Sequence, residues 1–271
     1  MSRLLVSLVF LLIGYPICSA QEAKSPPRTL RLLAVGEAPP FRQEIRNGVR
    51  YELPPPKGAI PPVRLEVSVF NKEGDKEKSQ YEVDNAENPG LRLKLNNVSS
   101  RLLVPGSELQ VRLLEDGTTW HTVKLPEGGD YLLVLWRDPE VKKWSKARSF
   151  LVKDGGANFQ AGDLRLINVG PVSVGYEIQD EEQFVVPRGK TVVKSLGVTA
   201  GTPTKVSYQD GKGKWRRLWS SALVQNQGER STVVVYFADG EKPRRPLKLI
   251  ALRERAVPLP KVRPGRGVTT Q

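Results

Sequence analysis

The chain has almost none of the side chains that perform site chemistry on their own. Its 271 residues include one cysteine, one histidine and one methionine. Cys18 falls within the first twenty residues. A chain cut after Ala20 would therefore carry no disulfide, no thiol nucleophile and no cysteine-ligated metal. His121, in "TTWHTVKL", has neither a second histidine nor a serine elbow to work with. Alternation with Trp120 places it on the opposite, solvent-facing side of a strand. The acidic runs Asp75–Glu77 and Asp180–Glu182 lack the spacing of a calcium loop and read as solvated charge. No glycine pattern that would cradle a phosphate is present. Helical periodicity is missing as well, since no segment sustains apolar residues at 3.6 spacing. No catalytic residue, metal ligand or cofactor site is assigned.

Long apolar runs are confined to the start. "MSRLLVSLVFLLIGYPICSA" has one cation, Arg3, an apolar core from Leu4 to Ile13, a Gly-Tyr-Pro break, and small residues before Gln21. This is the pattern of a secretory signal peptide over 1–20. The apolar core falls short of the roughly 20 residues of a membrane span. Ile17 is not the small residue that lipid attachment at Cys18 would require, so simple cleavage is preferred. The expectation is an exported protein, periplasmic or extracellular, with no transmembrane segment in the mature chain.

Charge of one sign is in excess. Lysine and arginine total 42 against 29 acidic residues, a net +13, or +12 once Arg3 is removed. Such a surface attracts polyanions at long range. Outside a cell these are acidic polysaccharides, anionic lipid head groups and envelope phosphates; export argues against nucleic acid. The plain alternative is a basic surface that only keeps the protein soluble.

What the chain does have is repetition. "LRLLAVG" at Leu30–Gly36 matches "LRLINVG" at Leu164–Gly170, with five identities in seven. "EIRNGVRYELP" at Glu44–Pro54 lines up with "EIQDEEQFVVP" at Glu177–Pro187, and "SELQVRL" at Ser107–Leu113 with "TPTKVSY" at Thr202–Tyr208. Trp120 pairs with Trp219, and "YLLVLWRDPEVKKWSKARSFLV" (131–152) with "STVVVYFADGEKPRRPLKLIAL" (231–252). The offset slides from 134 to about 95 and then 100, which an insertion near 71–105 in the first copy explains. A matched pair such as Glu44 and Glu177 serves a fold better than a unique active site, although paired carboxylates for glycoside hydrolysis are made in space and stay open.

"VRLEVSVF", "LRLKL" and "ELQVRLL" alternate with period two, as half-buried antiparallel strands do. "YLLVLW" and "STVVVYF" are continuous apolar runs, which suit strands covered on both faces. Turn signals recur at 115–117, 127–129, 209–213 and 238–240. The predicted fold is all-β, two tandem Ig-like antiparallel β-sandwiches from an internal duplication. The expected boundaries are 21–29 linker, 30–153 first sandwich, 154–162 linker, 163–255 second sandwich, and a basic, proline-rich, disordered tail at 256–271.

Two stretches mix tryptophan with cations. "WRDPEVKKWSKAR" supplies Lys142, Lys143, Trp144 and Lys146; "KGKWRRLW" supplies Lys212, Lys214, Trp215, Arg216 and Arg217. Sugar rings stack on indoles, and cations bind carboxylates and phosphates. Trp120, Trp136 and Trp219 match aromatic positions in the other copy and read as core. Trp144 and Trp215 have no counterpart and are the better candidates for surface contact with a polyanion or glycan.

The order "LRLINVG", "FVVPRGK", "STVVVYFADG", "LKLIALRE" resembles exported bacterial tandem β-sandwich proteins of the alginate O-acetylation accessory protein type. The likeness covers most of 164–254; in the first copy "YELPPPKG" departs from the Val-Pro-x-Gly form. The resemblance implies an exported, non-enzymatic module that binds partner proteins or an acidic exopolysaccharide, and it transfers no catalytic residue. Separately, the chain is expected to be a monomer that contacts an acidic polysaccharide or envelope proteins. The rival expectations are a polysaccharide-modifying enzyme and a structural spacer.

Overall fold

A computed structural model describes residues 28–70, 76–78, 90–104, 110–126, 128–179, 182–240 and 243–256. The expected signal peptide, nearly all of the tail and most of the region 71–89 lie outside these residues. The described chain is all-β apart from one 3-10 turn, Trp144–Lys146.

In the first copy the strands are β1 (Arg28–Val35), β2 (Arg42–Arg46), β3 (Val49–Leu53), β4 (Arg64–Phe70), β5 (Lys76–Lys78), β6 (Leu91–Arg92), β7 (Leu102–Val104), β8 (Gln110–Glu115), β9 (Thr118–Lys124), β10 (Tyr131–Arg137) and β11 (Ala147–Lys153). The second copy has β12 (Asp163–Asn168), β13 (Val174–Ile178), β14 (Glu182–Val186), β15 (Lys190–Ser195), β16 (Thr199–Gln209), β17 (Trp215–Gln225), β18 (Glu229–Phe237) and β19 (Leu247–Arg255). Each copy is a sandwich. Its inner sheet is β11-β10-β1-β7 or β15-β12-β18-β19; its outer sheet is β5-β4-β8-β9 or β14-β13-β16-β17. The ladders are antiparallel except for one parallel pair in each inner sheet, β1 with β10 and β12 with β18.

The continuous apolar runs follow from a third hydrophobic layer. Leu30 and Leu32 of β1 and Leu133 and Leu135 of β10 face the first copy's own core. Their neighbours Leu33, Val35, Leu132 and Val134 face the other way, onto Ile167, Val169, Val234 and Tyr236 of the second copy. The two inner sheets thus pack on each other as well as on their outer sheets. Period two survives inside an apolar run, with both phases buried.

Polar groups cap this layer. At one end the equivalent arginines of the repeat, Arg31 and Arg165, both bond Asp154, at 2.7 and 2.8 Å. Arg230 and Arg31 share Glu254, at 2.9 and 2.5 Å. The guanidiniums of Arg165 and Arg230 lie 4.1 and 4.5 Å from the centroid of the Phe159 ring. Asp154 and Phe159 belong to the segment read as a polar linker, which is pinned between the copies by their burial.

The alignment of 44–54 with 177–187 does not survive the topology. Both stretches are β-hairpins, which is why they match. However, β4 takes the place of β13 beside the sheet's long hairpin, whereas β2–β3 pairs only with itself. Residues 43–52 form a solvent-exposed arm closed by Asn47-Gly48, with φ 52° and 77°, the left-handed pair of a tight type I′ turn. Additional chain in the first copy therefore falls both before β4 and between β5 and β7, where only one insertion, at 71–105, was expected. β1 also begins at Arg28, two residues ahead of the expected boundary.

Candidate functional site

The turns of the two closing hairpins, β10–β11 and β18–β19, meet at one end of the molecule. Arg137 at the end of β10 donates to Asp239 after β18 at 2.5 Å, and its Nη2 reaches the Asp239 carbonyl at 2.9 Å. Asp239 also accepts the backbone N–H of Glu37, and Glu37 accepts that of Gly240, at 2.8 and 2.7 Å. This latch closes one side of a depression of about 520 Å³. Its other walls are the chain on either side of the arm, with Pro39, Pro40, Arg42, Lys57 and Gly58, and the β10–β11 turn, with Lys142 and Lys143.

The turn holds its lysines in place through its neighbours. Asp138 accepts from Arg148 Nε at 2.8 Å and from the N–H of Glu140 at 2.9 Å, which keep its carboxyl below the ordinary value. The Lys142 N–H bonds the Asp138 carbonyl at 2.8 Å, and that of Trp144 bonds Gly58 at 2.9 Å. The Trp144 carbonyl accepts from Trp120 Nε1 at 2.7 Å. The Lys143 stem passes over Gly58, which has no side chain to obstruct it. The described lining comprises five cations and one carboxylate, Asp239, which Arg137 already occupies. Among the described residues no ion pair joins Arg42, Lys57, Lys142 or Lys143 to a carboxylate.

Trp144 is not a surface contact. It is 1 % exposed and belongs to the first core. The 3-10 turn folds the indole inward, so the residue missing from the repeat is the anchor of the turn rather than its reactive face. Lys146 is exposed but lines none of the three depressions described. In the second copy Asp210 accepts from the backbone of Lys212 and Lys214 and from Arg216 Nε, each at 2.9 Å. Arg216 is therefore already paired, and its hydrogen bond is the first cause of Asp210's lowered pKa. Lys212, Lys214 and Arg217 are exposed and line none of those depressions either. Trp215 is exposed and lines a different groove, of about 360 Å³, on the outer sheet of the second copy. The two tryptophan-and-cation stretches thus contribute to separate places.

His121 is half-buried instead of solvent-facing, with Nε2 enclosed and lacking a hydrogen-bond partner among the described residues. The register of β8 with β9 slips between Leu113 and Leu114, so Trp120 is an extra residue on its strand. Such a bulge breaks the alternation, and Trp120 and His121 both lean inward. Trp120 and Trp219 pack partly buried against their own cores, and Trp136 against the layer between the copies.

No protein-family model matches the sequence, nor does any curated protein. Among solved structures, a protein of Bacteroides ovatus ATCC 8483 to which a cell-adhesion role is provisionally ascribed aligns over 87 % of this chain and 100 % of its own. The identity is 11 % and the TM-score 0.22, too low to transfer fold or function.

Arg42, Lys57 and Arg137 were not singled out in the sequence. Arg42 and Lys57 stand 100 and 85 residues before Lys142, and only the path of the arm brings them there. Arg137 had one legible signal, a cation closing an otherwise apolar strand.

Proposed function

We propose that this protein is an exported, non-catalytic binding module of the cell envelope that holds an acidic polysaccharide at the junction of its two sandwiches. The observation that carries the reading is the basic depression: four cations that have no carboxylate partner among the described residues, drawn from three segments, around prolines that stiffen the wall. Carboxylates of a uronate chain would supply the missing counter-charges, and the net charge, +13 for the full sequence and +12 without Arg3, would steer the polymer towards them. The resemblance to accessory proteins of alginate O-acetylation points to the same ligand class. A glycosidase would need two carboxyl groups about 5–10 Å apart across a cleft. The three depressions have one, none and one carboxylate among their described lining residues, which favours binding over hydrolysis.

The test is binding of a polyuronate at low and high salt, by the wild type and by a variant with Arg42, Lys57, Lys142 and Lys143 all changed to glutamine. Salt-sensitive binding that the variant loses is expected. Binding that ignores salt, or a variant that binds as well as the wild type, would remove the depression from the mechanism.

A further inference from the structure

Of the five tryptophans, Trp215 alone is exposed, at 45 %. Its seat is built from two strands. It opens β17 on the face of the outer sheet that points away from the core, and reaches across β16 to β13. There Gly175 lies mid-strand, and a Cβ on it would stand 3.0 Å from Cζ3 of the indole. A glycine inside a strand weakens it, and it belongs where something must approach the backbone closely. Here the indole does so. Ser207 on β16 and Val185 on β14 stand opposite Gly175 on either side. Glu177 and Lys205, bonded at 2.7 Å, and Gln183 complete the lining. At about 360 Å³ the groove falls within the ~300–1,000 Å³ range of small-molecule sites.

We propose that this groove binds a pyranose ring of a glycan chain against Trp215. One face of a pyranose is a plate of C–H groups, positively polarised and suited to the electron-rich face of an indole. Its rim carries hydroxyls that both donate and accept, and these match an amide, a hydroxyl and a carboxylate–ammonium pair. A bare anion would leave the indole unused and meet Glu177. A peptide adding itself as a strand needs a free sheet edge, whereas this is a sheet face whose backbone groups are already paired. The site shares no residue with the basic depression, so either reading can fail without the other.

The experiment titrates the full chain at high salt with gluco-, manno- and xylo-oligosaccharides and with an oligogalacturonate, followed by tryptophan fluorescence and calorimetry. Binding of at least one is expected. Trp215→Ala should weaken it about tenfold or more, and Gly175→Val, which displaces the indole while keeping it, should do likewise. Lys146→Gln, at an exposed residue that lines none of the described depressions, should leave it unchanged. Thermal unfolding checks that both groove variants fold; Trp215→Ala, being exposed, decides the matter if Gly175→Val does not. A sugar bound equally well by Trp215→Ala, or none of the four bound by the wild type, would overturn the proposal.

Discussion

Asp154 is the carboxylate on which both copies converge. Arg31 and Arg165 occupy the same position of the repeat and bond its two oxygens from opposite sheets, and Arg230 lies 3.7 Å away. Burial pushes the Arg165 pKa down and Asp154 opposes it. Three enclosed guanidiniums share Asp154 and Glu254, so deleting Asp154 strands charge in the interior. Asp154→Ala should lose about 3–5 kcal/mol in urea unfolding. A loss near that of an ordinary surface change, within about 0.5 kcal/mol, would mean that the cage opens to water. Two other residues contribute to the pH response. Burial raises the Glu254 pKa, but bonds and charge from Arg31 and Arg230 outweigh it and hold the carboxyl low. Its contribution is present above the unfolded value, about 4.3, and is lost as pH falls through the lower folded value. Burial also lowers His121, favouring the neutral ring. That contribution is present above about 6.5 and is lost as pH falls through the depressed folded value. Melting temperature should therefore decline in two stages on acidification, and His121→Gln should flatten the upper stage alone. An unchanged upper stage in that variant would assign it to another group.

Among the elements, those legible in the sequence were the ones whose signal is local. The closing hairpins, β10–β11 and β18–β19, were readable because apolar runs flank a polar turn, and their doubling pointed to two sandwiches. "FVVPRGK" was legible as a turn; the structure shows why it goes with "LRLINVG". Asn168 donates to the carbonyls of Val172 and Val186, at 2.8 and 2.9 Å, and accepts from Gly170. Illegible were the features decided by partners far along the chain. The sequence of β2–β3 is as hairpin-like as that of β13–β14, and nothing local says that only one joins a sheet. Trp144 sits among lysines, and its burial depends on Gly58 and Trp120. Of the basic depression, Lys142 and Lys143 were visible as a cationic turn, but their companions come from the base of the arm. The arm carries Ile45, Val49 and Tyr51 as exposed apolar residues, with exposed Phe41 just before it, and contributes no buried residue to either core. Replacing 43–52 by a short glycine-serine turn should therefore change unfolding free energy by no more than about 0.5 kcal/mol. A larger loss would show that the ribbon packs on the sandwiches.

For the whole molecule, the layer between the inner sheets makes the two copies interdependent. Leu33, Leu132 and Val134 on one side and Ile167, Val234 and Tyr236 on the other are buried only while the copies stay docked. Separation would also expose Arg165 and Arg230 without Asp154, and it would dismantle the latch of Arg137 on Asp239 beside the basic depression. The ligand binding proposed at that depression would thus be tied to docking, although Arg42, Lys57, Lys142 and Lys143 all belong to one copy. A molecule built this way should unfold in one step, with calorimetric and van't Hoff enthalpies that agree, despite having two hydrophobic cores. The decisive variant is Val234→Asp, which places an unpaired carboxylate in the dry layer and touches neither core directly. Its single transition should shift to lower temperature by the same amount when followed by the fluorescence of Trp144 in the first copy and of Trp219 in the second, each isolated by replacing the other tryptophans with phenylalanine. If only the second copy's probe moved, or two separate transitions emerged, the sandwiches would be independent domains and the junction a contact without mechanical consequence.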